Sequence, residues 1–167
     1  MYTSITQFVS DWEDESARTV QVFEALTDDS LSQPVTGDDR SLGRITWHIV
    51  TTLPEMCART GLRITCVDED APVPEKASAF VEAYRAASAE VGKLVGSTWT
   101  DATLQVEDDM YGEPWKRGVT LAVLVRHEIH HRGQMSVLMR QAGLRPPGIY
   151  GPVREQWAEF GRTPPEV

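Results

Sequence analysis

The chain is 167 residues long, 41% hydrophobic and 25% charged, with a formal net charge of −9. That length gives one domain with a substantial core, and the composition is that of a globular protein rather than a disordered or fibrous one. The acidic balance excludes a surface built for nucleic acid or anionic lipid, which needs clustered Lys and Arg.

Residues 3–27 run without Gly or Pro. Phe8, Trp12, Val20, Phe23 and Leu26 recur at helical spacing, so a long amphipathic helix is predicted there. Pro34, Gly37 and a run of acidic turn residues end it. A second helix is predicted from an N-cap at Ser41, with Pro54 as a kink or an early stop. The acidic, Pro-containing stretch 67–74 reads as a loop, and the Ala- and Glu-rich stretch 75–96 as a third helix. Between 103 and 118, Leu104 and Val106 alternate with polar residues before Gly112, which predicts a short β-hairpin or an ordered loop. The fourth helix spans 119–143, closed by Gly143 and followed by Pro146 and Pro147, and residues 154–161 suggest a short terminal helix. Four helices of this length bury their apolar stripes most simply as an all-α four-helix bundle, a single domain over residues 1–167.

No apolar run reaches the ~18 residues of a membrane span. The first residues lack the basic start and apolar centre of a signal peptide. The two cysteines, Cys57 and Cys66, form neither a CxxC pair nor a disulfide framework. A cytoplasmic protein with reduced thiols is the expectation.

Three of the four histidines fall within five residues, in Arg126–Met135. His127 and His131 are four apart, one turn above each other on one helical face. Leu121, Leu124, Met135 and Leu138 share that stripe, so both imidazoles face inward, whereas His130 falls outside it. Two partly charged rings in an apolar stripe need partners, and one metal ion satisfies both. On the second helix, Leu42, Ile45, Ile49, Thr52 and Met56 form the apolar face and His48 lies at its edge. His48 taken alone reads as a hydrogen-bonded core residue; beside the pair it is the one histidine left to complete a three-histidine site with open positions.

The same residues match H-E-x-x-H, in which Glu128 would be a water-activating base. The third ligand of such a site comes from further along the chain, where no histidine follows and Glu155 and Glu159 are conceivable ligands beyond a Pro-rich turn. Glu128 otherwise reads as a hydrogen-bond partner of a histidine or of Arg126. Arg126 and Arg132 flank the pair and could hold a substrate carboxylate or make ion pairs. Gln134 could hydrogen-bond a ligand ring or contact substrate. Trp99, Tyr111 and Trp115 could wall the pocket or pack in the core. Cys57 lies well around its helix from His48 and is not counted as a ligand.

With Trp47-His48, the stretch His127–Gln134, Gly143–Pro147 and Tyr150–Trp157, the sequence resembles the DinB-like superfamily over nearly its whole length. The resemblance implies an up-down-down-up bundle, usually a homodimer. It implies one divalent metal ion, zinc or nickel foremost and iron or manganese after them, held by His48, His127 and His131. It further implies thiol S-transferases or thiol-dependent isomerases acting on a small-molecule thiol and an electrophile. A non-catalytic metal-binding or stress-response protein, with the metal stapling the bundle, and a metal-dependent hydrolase remain the alternatives.

Overall fold

The computed structural model describes residues 1–166. Four helices account for most of them: α1 (Ile5–Glu24), α2 (Leu42–Arg59), α3 (Ala77–Thr98) and α4 (Arg117–Gln141). A two-stranded antiparallel hairpin, β1 (Glu107–Met110) and β2 (Glu113–Lys116), stands between α3 and α4. Short 3-10 turns occupy Asp28–Ser32, Asp101–Gln105 and Arg154–Phe160. Among the described residues no helix is long and apolar enough to cross a membrane.

Side-chain pairings fix the helix directions. Trp12 Nε1 donates to the Ser88 carbonyl at 2.8 Å while Glu24 pairs with Arg85, so α1 and α3 run antiparallel. The Tyr2 amide donates to the Gly118 carbonyl, and Glu15 meets Arg132 further along, so α1 and α4 run parallel. Thr46 approaches Met135 while His48 approaches His127, which makes α2 and α4 antiparallel. Trp47 packs edge-on against Phe80, and Thr65, just past α2, bonds Glu90, so α2 and α3 are parallel. The bundle is therefore up-down-down-up, and α4 borders both α2 and α1.

The helix boundaries follow local chemistry. Ser41 caps α2 by accepting from the Arg44 amide at 3.2 Å. Pro54 neither stops nor ends this helix, because Leu53, Met56 and Cys57 around it are buried and their packing outweighs one lost backbone bond. Gly143, with φ of 77°, ends α4. Its amide bonds the Arg140 carbonyl, and the Leu144 amide bonds that of Met139, which closes a Schellman motif.

The hairpin region differs in detail from the sequence pattern. Leu104 belongs to a 3-10 turn and is fully buried, and Val106 caps that turn, so neither lies in a strand. The strands start one residue later and turn through Tyr111 and Gly112, both with positive φ, as a two-residue primed hairpin requires. The terminal helix is a 3-10 segment with no buried residue. Phe8, Trp12, Phe23, Phe80, Tyr84 and Leu124 form the centre of the core, each at most 1% exposed.

Candidate metal centre

α4 presents two stripes to the bundle. At about 100° per residue, His127 and His131 lie on one stripe and Glu128 and Arg132 on the next. The first faces α2, the second faces α1 and α3.

On the α2 side the three histidines converge. His127 Nε2 lies 3.0 Å from His48 Nε2 and 3.0 Å from His131 Nε2. The candidate ligand atoms of the three residues all fall within 4.8 Å of one another. Two nitrogens bound to one ion at about 2.0–2.1 Å sit about 2.9–3.4 Å apart, so the spacing suits a shared metal. Hydrogen bonding alone does not account for it. A neutral imidazole nitrogen offers either one N–H or one lone pair, so His127 Nε2 can satisfy only one of its two neighbours. A cation that accepts all three lone pairs removes the conflict.

The electrostatics favour the same state. Burial, the neighbouring imidazoles and nearby Arg40 hold the His127 ring at a pKa of about 3. Burial, then His131, Arg40 and Arg44, lower His48 to about 4. His131 is lowered as well, by burial first, against a raising hydrogen bond from Gln134. All three rings are therefore neutral at pH 7, the form that binds metal. Gln134 Oε1 lies 2.7 Å from His131 Nδ1, which places the proton on Nδ1 and frees the Nε2 lone pair. Thr52 Oγ1 is 3.5 Å from His48 Nδ1, a marginal contact, and bonds the His48 carbonyl firmly at 2.7 Å. His127 Nδ1 is buried without a partner. A cleft of about 370 Å³ opens beside His48, lined by Thr51, Thr52, Glu55, Glu69, Asp70 and Tyr111.

The other stripe corrects two sequence expectations. Glu128 has no exposed surface, and its carboxylate accepts from Tyr84 at 2.7 and 2.9 Å and from Thr19 at 2.9 Å. The carboxylate faces α1 and α3, away from the histidine cluster, so the role of water-activating base does not fit, and neither a histidine nor Arg126 is its partner. Burial raises its pKa to about 7 against the lowering hydrogen bonds from Tyr84 and Thr19. Arg132 is 4% exposed and gives its guanidinium to Glu15, to Thr19 at 3.0 Å and to Tyr150 at 2.7 Å. These commitments leave it unavailable for a substrate carboxylate.

Arg126 is exposed. Gln134 bonds the ring of His131, one of the three clustered histidines. His130 is exposed. Glu155 pairs with Arg140 at 2.5 Å, and neither it nor Glu159 joins the histidine cluster. Tyr111 does wall the cleft, its hydroxyl donating to Glu55 at 2.7 Å and its ring lying under Arg59. Trp99 is core, with Arg117 over its ring, and Trp115 stacks edge-on beside Tyr111. Cys57 is buried, and burial pushes its thiol up to about 12, so it supplies neither ligand nor nucleophile. Sequence reasoning missed Tyr84, Thr19 and Glu15 as polar partners of α4; Glu15 lies in the acidic run Glu13–Glu15, which reads as a solvated face.

A helical bundle with three imidazoles from two facing helices defines a class of histidine-site bundle proteins, and comparison narrows it. The DinB family profile matches residues 1–166, and the chain belongs to that family. It is 41% identical to the uncharacterized protein YrdA of Bacillus subtilis strain 168 over 167 residues, covering all of both chains. A crystal structure of a DinB-like protein from Bacillus cereus ATCC 10987 is 41% identical and superposes with a TM-score of 0.85, covering 90% of this chain and 100% of that one. The DinB-like protein YjoA of Bacillus subtilis, 20% identical, shares the fold at a TM-score of 0.66 over 86% of this chain and 97% of its own.

Proposed function

We propose that the protein is a metalloenzyme in which His48, His127 and His131 hold one divalent ion, zinc or nickel foremost, and which transfers a low-molecular-weight thiol to an electrophile. The observation that carries the metal reading is that His127 Nε2 lies 3.0 Å from both His48 Nε2 and His131 Nε2, two contacts that one neutral imidazole nitrogen cannot both satisfy by hydrogen bonding. Three protein ligands and an adjoining cleft are the arrangement of a catalytic site, whereas a structural site is closed by four. Held there, the ion would supply a Lewis acid able to lower the pKa of a thiol toward neutral pH. Gln134 holds the His131 tautomer, and Tyr111 and Glu55 shape the side from which substrate approaches. The thiol-transfer class and the homodimer follow from the family resemblance, and the cytoplasmic location from two cysteines that form neither a CxxC pair nor a disulfide framework.

Elemental analysis of the untagged protein beside His48→Ala and His127→Ala tests the site. About one divalent ion per chain in the parent and much less in both variants is the expected result. Retention of the ion in His48→Ala would reduce the site to the α4 pair. Metal-loaded protein that accelerates no conjugation of cellular thiols, yet hydrolyses esters or amides, would replace transfer with hydrolysis.

A further inference from the structure

The residues that follow the two α4 ligands are chemically matched as well. His127 precedes Glu128 and His131 precedes Arg132, so one turn of α4 carries two ligands toward α2 and two charged anchors toward α1 and α3. Both anchors are at most 4% exposed, and both are tied to other elements: Glu128 to Thr19 on α1 and Tyr84 on α3, Arg132 to Glu15 and Thr19 on α1 and to Tyr150 beyond α4. Thr19 joins the halves, since its hydroxyl lies 2.9 Å from Glu128 Oε2 and 3.0 Å from Arg132 Nη1.

We propose that Glu128 and Arg132 are positioning residues: their buried polar network locks the rotation of α4 about its axis and so aims His127 and His131 at His48. This rests on the metal-site reading. Apolar packing fixes the rotation of α4 only coarsely: Leu121, Leu124, Val125, Met135, Leu138 and Met139 are buried in one broad arc of about 140°, with Glu128 and Arg132 near its middle. Hydrogen bonds are directional, and a turn of α4 by one residue, about 100°, would carry the carboxylate and the guanidinium away from every partner they have. The unpaired buried charges would oppose that turn strongly. The ligand rings, in contrast, have few anchors of their own, with Gln134 on His131 and no partner for His127 Nδ1. Their aim is therefore set from the far side of the helix.

The test separates aim from stability. Zinc affinity, by competition with a chelating dye, and urea stability are measured for the parent, Glu128→Gln, Glu128→Leu and Tyr84→Phe/Glu128→Leu. Glu128→Gln keeps an acceptor for Tyr84, and its zinc affinity stays near that of the parent. Glu128→Leu weakens zinc binding about 10- to 100-fold, the range for residues that orient ligands. The double variant replaces both partners with apolar groups, so stability recovers while affinity stays low. Affinity that recovers along with stability would overturn the proposal, as would unchanged affinity in a folded, destabilised Glu128→Leu. Proton NOE spectra of metal-free protein give a readout that survives failure of the metal reading. The cross-helix signal between the His48 and His127 rings, whose centroids lie 4.8 Å apart, should persist in the parent and Glu128→Gln and be lost in the double variant. A parent that binds no zinc refutes the metal site, and those spectra then decide the lock: persistence of the signal in the double variant would overturn it.

Discussion

Arg132→Met should destabilise the bundle far more than loss of any surface ion pair. The substitution keeps most of the aliphatic volume and removes a guanidinium that bonds the Glu15 side chain and carbonyl, Thr19 and Tyr150. Glu15, 9% exposed, is left buried without its main counter-charge. Removing one partner of a buried pair costs about 3–5 kcal/mol. Here the lower end applies, because Arg18 remains 2.9 Å from Glu15 and the Tyr150 hydroxyl remains 2.5 Å away. In a domain of this size about 3 kcal/mol lowers the melting temperature by roughly 6–12 °C. Arg18→Met is the control: its side chain is 32% exposed, and a pair of that kind contributes about 0–1 kcal/mol. Glu15→Met/Arg132→Met should recover part of the loss, since no lone charge remains. Thermal melts by circular dichroism and urea titrations read all three. If Arg132→Met melts within about 2 °C of the parent, or no lower than Arg18→Met, the buried-charge reasoning is wrong.

Metal-free protein should be most stable near pH 6.5. His48 and His127 have folded pKa values of about 4 and 3, below the unfolded value of 6.5, so their contribution is present above 6.5 and lost as pH falls toward those values. Glu128 is raised from 4.5 to about 7, so its contribution is present below 4.5 and lost as pH rises through 7. Urea titrations across pH should show both limbs, and Glu128→Gln should flatten only the alkaline one; a parent whose stability keeps rising from pH 6 to 8 would contradict this. Gln134→Leu should weaken zinc binding by about 10-fold or more without lowering metal-free stability by more than about 1 kcal/mol, because Gln134 is exposed and acts on His131 alone. Unchanged affinity would remove its orienting role. Gly118→Ala should destabilise strongly, since a Cβ there would lie 2.1 Å from the Tyr2 carbonyl oxygen, and a melting temperature equal to the parent's would show that the N-terminal residues simply move aside.

The helices were legible because each carries an apolar stripe long enough to show its period, and Ser41 and Gly143 mark real ends. As an early stop Pro54 misleads, because the rule for an interior proline counts one backbone bond, whereas the turn around it is held by Leu53, Met56 and Cys57 in the core. Leu104 and Val106 mislead in another way. Alternation over so few residues does not distinguish a strand from a 3-10 turn that buries one residue and exposes the next, and Leu104 at 0% beside Val106 at 43% is that case.

The three clustered histidines were legible for a physical reason too. Their spacing on α4 is local, and His48 was the one histidine remaining for the facing helix. The roles of Glu128 and Arg132 were not, because the same His-Glu-x-x-His letters serve two geometries. In one, Glu128 shares the ligands' space and acts on water; in the other it sits one stripe away and acts on the helix. The difference is whether the neighbouring elements present donors, and those are Thr19 and Tyr84, 109 and 44 residues distant in sequence. A single sequence fixes what α4 can display to the bundle. Only the packed partners determine which display does chemistry and which holds it in place.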